Sequence, residues 1–207
     1  MQRIFLLSPA NVAGLRAAQL LNPEASFARA RQFRREGLPL GEVFTFLSAL
    51  YFRGKLSYAQ TFARTEKPDG DIVRIITTNR GLLDPAEIVT PDDLRAFGTV
   101  DIDATNADYR RPLEKHVKAL AKKLGADGQV ILLGSIATGK YRDVLLAHLG
   151  ERLVFPKEFV GRGDMSRGGM LLRAVKGGEE LEYQPVNGAI LHGKRAVKLE
   201  KLPRRKT

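Results

Sequence analysis

The chain has 207 residues, 43% of them hydrophobic and 28% charged, a composition typical of a folded domain and not of a disordered or membrane-embedded chain. Its 34 lysines and arginines exceed its 23 aspartates and glutamates, and the net charge of +11 attracts polyanions. Because it has no cysteine and no apolar run of the roughly 18 to 20 residues that a membrane span needs, we expect a cytoplasmic protein without disulfides, thiolate chemistry or a membrane partner.

The first part of the chain predicts a strand, a helical region and a second strand. Residues 2 to 7 form an apolar run typical of a buried strand, and Ser8 and Pro9 predict the start of a helix, with Ser8 as N-cap. Residues 10 to 63 have helical spacing that predicts three or four helices. We expect breaks between them at Asn22-Pro23, Gly37 to Pro39 and Gly54. The β-branched run from 71 to 77 predicts the next strand.

The second part alternates helices and strands. It predicts a helix at 110 to 125, a strand at 129 to 134, a helix at 140 to 149 and a strand at 152 to 156. This order predicts a single α/β domain over residues 1 to 193, with a doubly wound, mostly parallel sheet of about four strands and helices on both faces. After about residue 156 we expect a glycine-rich loop, a β-hairpin around Asn187-Gly188 and, from 194 to 207, a basic tail.

Polar and glycine residues collect where three of the predicted strands end, at 8 to 14, 77 to 84 and 134 to 141. In open α/β sheets, ligands bind at that edge because loops and helix amino termini meet there. The sequence therefore predicts one ligand edge built from these segments. Its candidate binding residues are Ser8, Asn11, Gly134, Ser135, Thr138, Lys140 and Tyr141.

Residues 134 to 140 have the spacing of a phosphate-binding P-loop, but Tyr141 stands where such a loop has a magnesium-binding Ser or Thr. The later strand at 152 to 156 has no aspartate to organise magnesium. We therefore predict an anion or nucleotide site without the magnesium machinery, in which Lys140 supplies a positive charge. The alternative is a glycine-containing strand-to-helix turn that binds no ligand.

The loop at 161 to 169 sets two arginines and an aspartate among four glycines, ahead of a predicted helix. Arg162, Ser166 and Arg167 suit phosphate or base recognition by a loop and a helix start. The alternative is that Asp164 or Ser166 is only the N-cap and that the arginines face solvent.

Two further basic segments have both a binding and a structural interpretation. Tyr51, Arg53 and Lys55 interleave aromatic and basic side chains, a pattern that stacks bases and holds phosphates. The alternative is that the aromatic rings are core residues and the basic side chains reach out to solvent. Likewise, the arginines between 29 and 35 are either a solvated helix face or a face toward phosphates.

The sequence lacks the residue patterns typical of metal binding and of serine-hydrolase catalysis. The three histidines, His116, His148 and His192, have no spacing typical of metal ligands, and there is no GxSxG motif. We expect neither a metal nor another cofactor. Asp84 and Asp164 are the best candidates for a catalytic carboxylate that activates water, although each also suits a turn or cap.

Several short stretches together resemble a known family. They are Ser8-Pro9-Ala10, Leu50 to Phe52 with Tyr58-Ala59, Gly81 to Pro85, Val89 to Leu94, and ILLG with Lys140-Tyr141 before Phe155-Pro156. Over roughly residues 3 to 173 the chain resembles the prokaryotic α/β proteins related to YaaA, which are similar in fold to the uracil-DNA glycosylase superfamily. The positions that match are Ser8, Tyr51, Gly81, Asp84, Gly134 and Tyr141. The GQDPYH-like and HPSP-like stretches of uracil-DNA glycosylases are absent.

The resemblance implies a doubly wound sheet and either nucleic-acid binding or N-glycosidic chemistry. Our first hypothesis is a hydrolase acting on a nucleic-acid base or nucleoside, in which a flipped base stacks on Tyr51 or Tyr141. The second is a non-catalytic nucleic-acid-binding protein, with DNA favoured over RNA. The third, a small-nucleotide-binding protein or NTPase, is the least favoured because of Tyr141.

Overall fold

The structure is a computed structural model that describes residues 2–63, 72–125, 127–137, 139–194, 196, 197 and 199. Within these residues the strands are β1 Arg3–Leu7, β2 Leu38–Pro39, β3 Val73–Ile76, β4 Leu82–Leu83, β5 Ile88–Val89, β6 Gln129–Leu133, β7 Leu153–Pro156 and β8 Tyr183–Pro185. The α-helices of the same part are α1 Leu15–Leu21, α2 Ala28–Glu36, α3 Leu40–Phe62, α4 Pro91–Gly98, α5 Ala107–Lys123, α6 Gly139–Leu149 and α7 Asp164–Gly177. None of these helices is long and apolar enough to cross a membrane.

Six of the strands form one sheet in the order β4-β3-β1-β6-β7-β8. Its four inner strands, β3, β1, β6 and β7, are parallel, and they are the four strands that the sequence predicts. The short strands β4 and β8 pair antiparallel at the two edges, and β2 and β5 form a separate antiparallel pair. The expected α/β class with a mostly parallel sheet is confirmed.

The inner strands are apolar along nearly their whole length because both faces of the sheet are covered. Residues 4 to 7 of β1 and 130 to 133 of β6 are all buried. These two strands run side by side, with Phe5 opposite Ile131 and Leu7 opposite Leu133. The core of the protein therefore lies around the β1–β6 pair.

The chain leaves β1 and β6 in opposite directions across the sheet. The next inner strand after β1 is β3, on one side of it, whereas β6 is followed by β7 on the other side. In open α/β sheets whose strand order reverses in this way, ligands bind outside the carboxyl ends of the two strands at the switch point. Ser8 follows β1 and Gly134 follows β6, so both residues stand at this switch point.

Three local predictions are wrong. Ser8 and Pro9 do not begin a helix, because α1 begins at Leu15 after Gly14 as N-cap. The hairpin around Asn187-Gly188 does not form, because the strand before it, β8, pairs with β7 and residues 189 to 193 have no strand conformation. Asp164 and Ser166 do not cap α7, whose N-cap is Gly163 without a side-chain hydrogen bond.

The predicted break at Gly54 is also wrong, since Gly54 lies inside α3. The helix is instead kinked at Ala49, whose φ of 43° and ψ of −113° are not helical. A positive φ is unfavourable for an alanine and persists only where surrounding contacts hold it. The kink sets the direction of the second half of α3, which carries Tyr51 and Lys55.

The second half of α3 lies directly against α7 because both helices have a glycine at the crossing. A Cβ on Gly54 would lie 2.7 Å from the backbone oxygen of Gly168, and a Cβ on Gly168 would lie 2.8 Å from Cα of Tyr51. Any larger residue would force the backbones apart. The crossing brings Tyr51 and Lys55 of α3 up to the first turns of α7.

Only part of the predicted basic tail lies among the described residues, namely 194, 196, 197 and 199. The amide of Ala196 donates to the carbonyl oxygen of Gly161 at 3.2 Å, and Arg162 donates to the carbonyl oxygen of Val197 at 3.0 Å. The start of the tail is thus held on the loop that precedes α7.

Candidate functional site

A buried lysine lies at the switch point of the sheet. The side chain of Lys55 reaches from α3 to the residue that follows β1, and only 1% of the residue is exposed. Its Nζ donates to the backbone oxygen of Ser8 at 2.6 Å and lies 2.8 Å from the Ser8 hydroxyl oxygen. The aromatic rings of Tyr51 and Phe52 lie 4.6 and 4.8 Å from the same nitrogen. An amine in such surroundings has almost no access to bulk water.

Burial lowers the pKa of Lys55 to about 7, because the charged form loses its hydration. The negative charge of Asp164 opposes this effect, and the positive charge of Arg167 adds to it. Near neutral pH a substantial share of the amine is therefore uncharged and has a free electron pair. Such a lysine can take a proton from the Ser8 hydroxyl or from a bound water.

Tyr141, the residue that breaks the P-loop pattern, closes the other side of Ser8. A Cβ on Gly134 would lie 2.8 Å from both the Tyr141 hydroxyl oxygen and Cβ of Ser8, so only glycine fits between them. Burial raises the pKa of Tyr141, while hydrogen bonds from the Ser8 hydroxyl and the Ser135 amide oppose that rise. Tyr141 thus belongs to the same polar cluster as Ser8 and Lys55.

The hydroxyl of Tyr51 is buried and has no hydrogen-bond partner of acceptable geometry among the described residues. Burial raises its pKa, and the nearby positive charge of Arg167 opposes the rise. Buried hydroxyls in native proteins nearly always have a partner, supplied by the protein, by water or by a ligand. The side chain of Arg167 lies within reach of this hydroxyl and helps to offset the rise of its pKa, so Tyr51 and Arg167 belong to one polar cluster beside Lys55.

Arg167 and Asp164 bring opposite charges to the cluster from the first turns of α7. The guanidinium of Arg167 is buried and donates to the backbone oxygen of Phe159 from Nε at 3.3 Å and from Nη2 at 3.1 Å. Its Nη1 lies 3.7 Å from Oδ1 of Asp164, whose side chain is 66% exposed. A fixed cation thus lies inside the protein, with its carboxylate partner at the surface.

We name this cluster the Lys55 centre. It consists of Ser8, Tyr51, Lys55, Tyr141, Asp164 and Arg167, which come from the end of β1 and from α3, α6 and α7. The centre combines a proton acceptor, three hydroxyl groups, a fixed cation and an exposed carboxylate. Groups of these kinds perform general acid-base chemistry and stabilise a leaving group.

Asp84, the other predicted catalytic carboxylate, lies elsewhere. It follows β4, the outermost strand on its side of the sheet, and β3 lies between β4 and β1, the strand that Ser8 follows. Its Oδ2 accepts from Arg74 at 2.5 Å and its Oδ1 accepts from the amide of Ala86 at 2.7 Å. Asp84 therefore does not join the Lys55 centre, and its contacts are those of a turn residue.

Three further predicted binding residues have local partners outside the centre. Asn11 is exposed, and its side-chain oxygen accepts from the amide of Ala13 at 3.0 Å. Arg162 donates to the Ser166 hydroxyl at 3.3 Å, which ties the two together ahead of α7. These side chains stabilise turns of the chain. Their contacts therefore agree with a structural role, which is the alternative to ligand binding.

The remaining predicted residues lie around the turn after β6 and on α3. Ser135 is half-buried beside Tyr141, whereas Lys140 is exposed. The amide and hydroxyl of Thr105 lower the pKa of Asp103, and the charge of Lys140 adds to this, which places Lys140 near an acidic loop. Arg53 is exposed on α3, away from the buried Lys55. Thr138 lies outside the described residues.

Lys55 belongs to the centre, but the sequence interpretation names it only within the aromatic and basic segment and not as a candidate site residue. Its neighbours Tyr51, Phe52 and Tyr58 indicate a buried helix face, and Lys55 lies one turn from Tyr51 on that face. A lysine placed on the apolar face of a helix is a signal of an unusual environment. One alternative interpretation of residues 51 to 55 is that their basic side chains reach out to solvent. Arg53 does so, whereas Lys55 is buried.

Within the part of the chain that the structure describes, no three histidine, aspartate or glutamate side chains come together in a way that would hold a metal ion. Comparisons of the chain with protein-family models, curated proteins and solved structures gave no match.

Proposed function

We propose that the protein is a hydrolase that cleaves the N-glycosidic bond of a nucleoside unit, within nucleic acid or free, at the Lys55 centre. The observation that carries this proposal is the buried contact between Lys55 and Ser8 at the switch point of the sheet. A lysine with a pKa of about 7 is matched to proton transfer at neutral pH. The resemblance to glycosylase-like α/β proteins supports the same bond type.

In the proposed reaction a water molecule attacks C1′ of the sugar while the bond from C1′ to the base nitrogen breaks. The electron pair of that bond leaves with the base, and Arg167 and the Tyr51 hydroxyl stabilise the negative charge that it carries. The uncharged amine of Lys55 takes the proton of the water, directly or through Ser8, and returns it to the departing base. Asp164 stabilises the positive charge that develops on the sugar.

The charge of the chain supports nucleic acid as the substrate class. An excess of eleven positive charges gives an affinity for phosphates that does not depend on sequence. Arg167 and Asp164 then act on a single base that has left its stack, since an active centre this deep does not admit a duplex. DNA is favoured over RNA on the resemblance, and a cytoplasmic location is part of the same proposal.

As part of the same proposal, the sheet is doubly wound, with helices on both of its faces. With right-handed connections, the steps from β1 to β3 and from β3 to β6 run in opposite directions, so α3 and α5 lie on opposite faces. In agreement with this, α5 packs against α6, while α3 packs against α7. A ligand at the switch point then meets side chains from both helix layers.

A second candidate is a non-catalytic nucleic-acid-binding protein. The observation that favours it is that the Lys55 centre is largely buried, whereas many arginines and lysines are exposed. The affinity of such a protein for nucleic acid falls steeply with salt, and no product forms.

The test is an assay of base release. The protein is incubated with single-stranded and duplex DNA, with RNA and with free nucleosides, and the released bases are quantified by liquid chromatography. We expect release by the wild type and a loss of about 100-fold or more in Lys55→Met, which removes the proton acceptor. Lys118→Met, a change at an exposed lysine of α5, is the matched control and keeps full activity. Release that is equal in Lys55→Met and wild type contradicts the proposal, and binding without release favours the second candidate.

A further inference from the structure

Two neighbouring cavities lie between α1, α2 and α3. One has a volume of about 370 Å³ and is lined by Arg16, Arg29, Thr45, Phe46, Ala49, Leu50 and Arg53. The other has a volume of about 440 Å³ and is lined by Gln19, Asn22, Ala25, Phe27 and Phe46. Phe46 lies in the wall of both, so the two cavities adjoin at its side chain.

The first cavity, which we name the arginine cavity, receives one arginine from each of the three helices. Arg16 donates to the backbone oxygen of Phe46 at 3.1 Å, an interaction that fixes its position and leaves its other donors available. Arg29 lies 3.7 Å from Glu42 in a half-exposed ion pair, which is a weak interaction. Among the described residues, no hydrogen bond or ion pair engages Arg53. Three guanidinium groups around one cavity, with only one nearby carboxylate, are suited to a phosphate group.

The second cavity, which we name the aromatic cavity, has the chemistry of a base site. The rings of Phe27 and Phe46 stack with their centroids 5.7 Å apart and an angle of 18° between their planes. Phe27 is 40% exposed, so part of its side chain is accessible to a further aromatic group. The amides of Gln19 and Asn22 border the same cavity and can form hydrogen bonds with the edge of a base.

We propose that the two cavities together bind one nucleotide unit of single-stranded nucleic acid, with its phosphate in the arginine cavity and its base in the aromatic cavity. Basic side chains beside exposed aromatic rings are the arrangement by which proteins hold single strands without base pairing. The arginine cavity also borders Leu50, the residue before Tyr51 of the Lys55 centre. The two sites therefore adjoin at this point of α3.

This inference rests on the proposed function in taking nucleic acid as the ligand, but it does not depend on the chemistry at Lys55. The arginines of α2 then have two separate roles, one structural and one in the cavity. Arg34 binds the backbone oxygens of Asn22 and Ala25 at 3.0 and 2.8 Å, and so holds the loop before α2. Arg29 faces the cavity instead.

The test measures the binding of a fluorescein-labelled 12-nucleotide oligo-deoxythymidine by fluorescence anisotropy at several salt concentrations. We expect Arg53→Gln to raise Kd several-fold and to reduce the slope of log Kd against log salt by about 1, because one phosphate contact is lost. Phe27→Leu keeps an apolar side chain but removes the stacking surface, and raises Kd about 5-fold or more without changing that slope. Arg110→Gln, a change at an exposed arginine of α5, is the matched control and leaves Kd unchanged.

The outcomes separate this inference from the proposed function. If Arg53→Gln and Phe27→Leu bind the strand like the wild type while bases are still released, the cavities are not the strand site and the proposed function stands. If no base is released but both variants weaken binding, the strand site stands without the chemistry. A wild type that binds thymidine monophosphate as tightly as the oligonucleotide overturns the assignment to a strand. Circular dichroism of each variant verifies that it is folded.

Discussion

The side-chain nitrogen of Lys55 lies 2.8 Å from the hydroxyl oxygen of Ser8, a residue 47 positions earlier in the chain. The contact joins the middle of a helix to the end of the central strand β1. It places a lysine with a low pKa beside a hydroxyl group, at the carboxyl ends of the parallel strands, where open α/β sheets bind their ligands.

The stability of the protein depends on pH through Lys55. Between its folded pKa of about 7 and the value of 10.5 of a free lysine, the unfolded chain binds more protons than the folded chain. The free energy of unfolding therefore rises with pH across this window, on the order of 1 kcal/mol per pH unit. Below about pH 7, Lys55 is protonated in both the folded and the unfolded chain, so its contribution to stability no longer changes with pH. Tyr51 and Tyr141, whose pKa values are raised, affect stability only above about pH 10. Urea unfolding at pH 6 to 9.5 measures the rise, and we expect Lys55→Met to abolish it. An equal rise in the variant contradicts the assignment to Lys55.

The two predicted catalytic carboxylates are expected to differ in their effect on base release. Asp164→Asn removes the negative charge that acts on the Lys55 centre, and we expect release to fall about 10-fold or more. Asp84→Asn changes a carboxylate beside the outer strand β4, outside the Lys55 centre, and is the matched control, with activity within about 2-fold of the wild type. Initial rates of both variants, measured at equal concentrations of folded protein, decide between the two positions. A larger loss in Asp84→Asn refutes the placement of the active centre.

The contact between α3 and α7 requires glycine at position 168. Gly168→Ala places a methyl group 2.8 Å from Cα of Tyr51 and 2.9 Å from the backbone oxygen of Leu50, so the helices must separate. We expect a loss of about 1 to 3 kcal/mol in the free energy of unfolding and a loss of activity, since Tyr51 and Lys55 move. Gly177→Ala, in the same helix but with open space around the new methyl group, keeps or raises stability by up to about 1 kcal/mol. Urea unfolding compares the two variants, and equal stabilities are the contrary result.

Restoring the P-loop pattern is not expected to create an NTPase. Tyr141→Thr supplies the hydroxyl that a P-loop uses to bind magnesium. The wild-type ring, however, is buried against Ser8 and Gly134 and lies in the core. We expect no ATP or GTP hydrolysis and a loss of about 2 to 4 kcal/mol in the free energy of unfolding, because a large buried side chain is removed. Tyr141→Phe keeps the ring and is the milder control. Phosphate release measured with both nucleotides is the assay, and nucleotide hydrolysis in Tyr141→Thr refutes our interpretation of the turn.

The sequence predicts the inner strands well and the site only in part. A short apolar run such as 129 to 134 fits few elements other than a buried strand. The strand at 183 to 185, by contrast, depends on pairing with β7, which the local sequence does not indicate. Gly54 looks like a helix break, but tertiary packing against Gly168 keeps it inside α3, while the true kink at Ala49 has no local signal. Lys55 and Ser8 meet only through the fold, so neither residue predicts the contact alone.

The short edge strands also affect how the protein behaves in solution. The two ends of the six-stranded sheet are β4, with two residues, and β8, with three residues, the last of them Pro185. A strand from another molecule finds few free backbone donors and acceptors there, and proline supplies no amide. The long apolar strands that are most prone to cross-molecular pairing all lie inside the sheet. The order of the strands thus protects the apolar core of the sheet from aggregation through its edges.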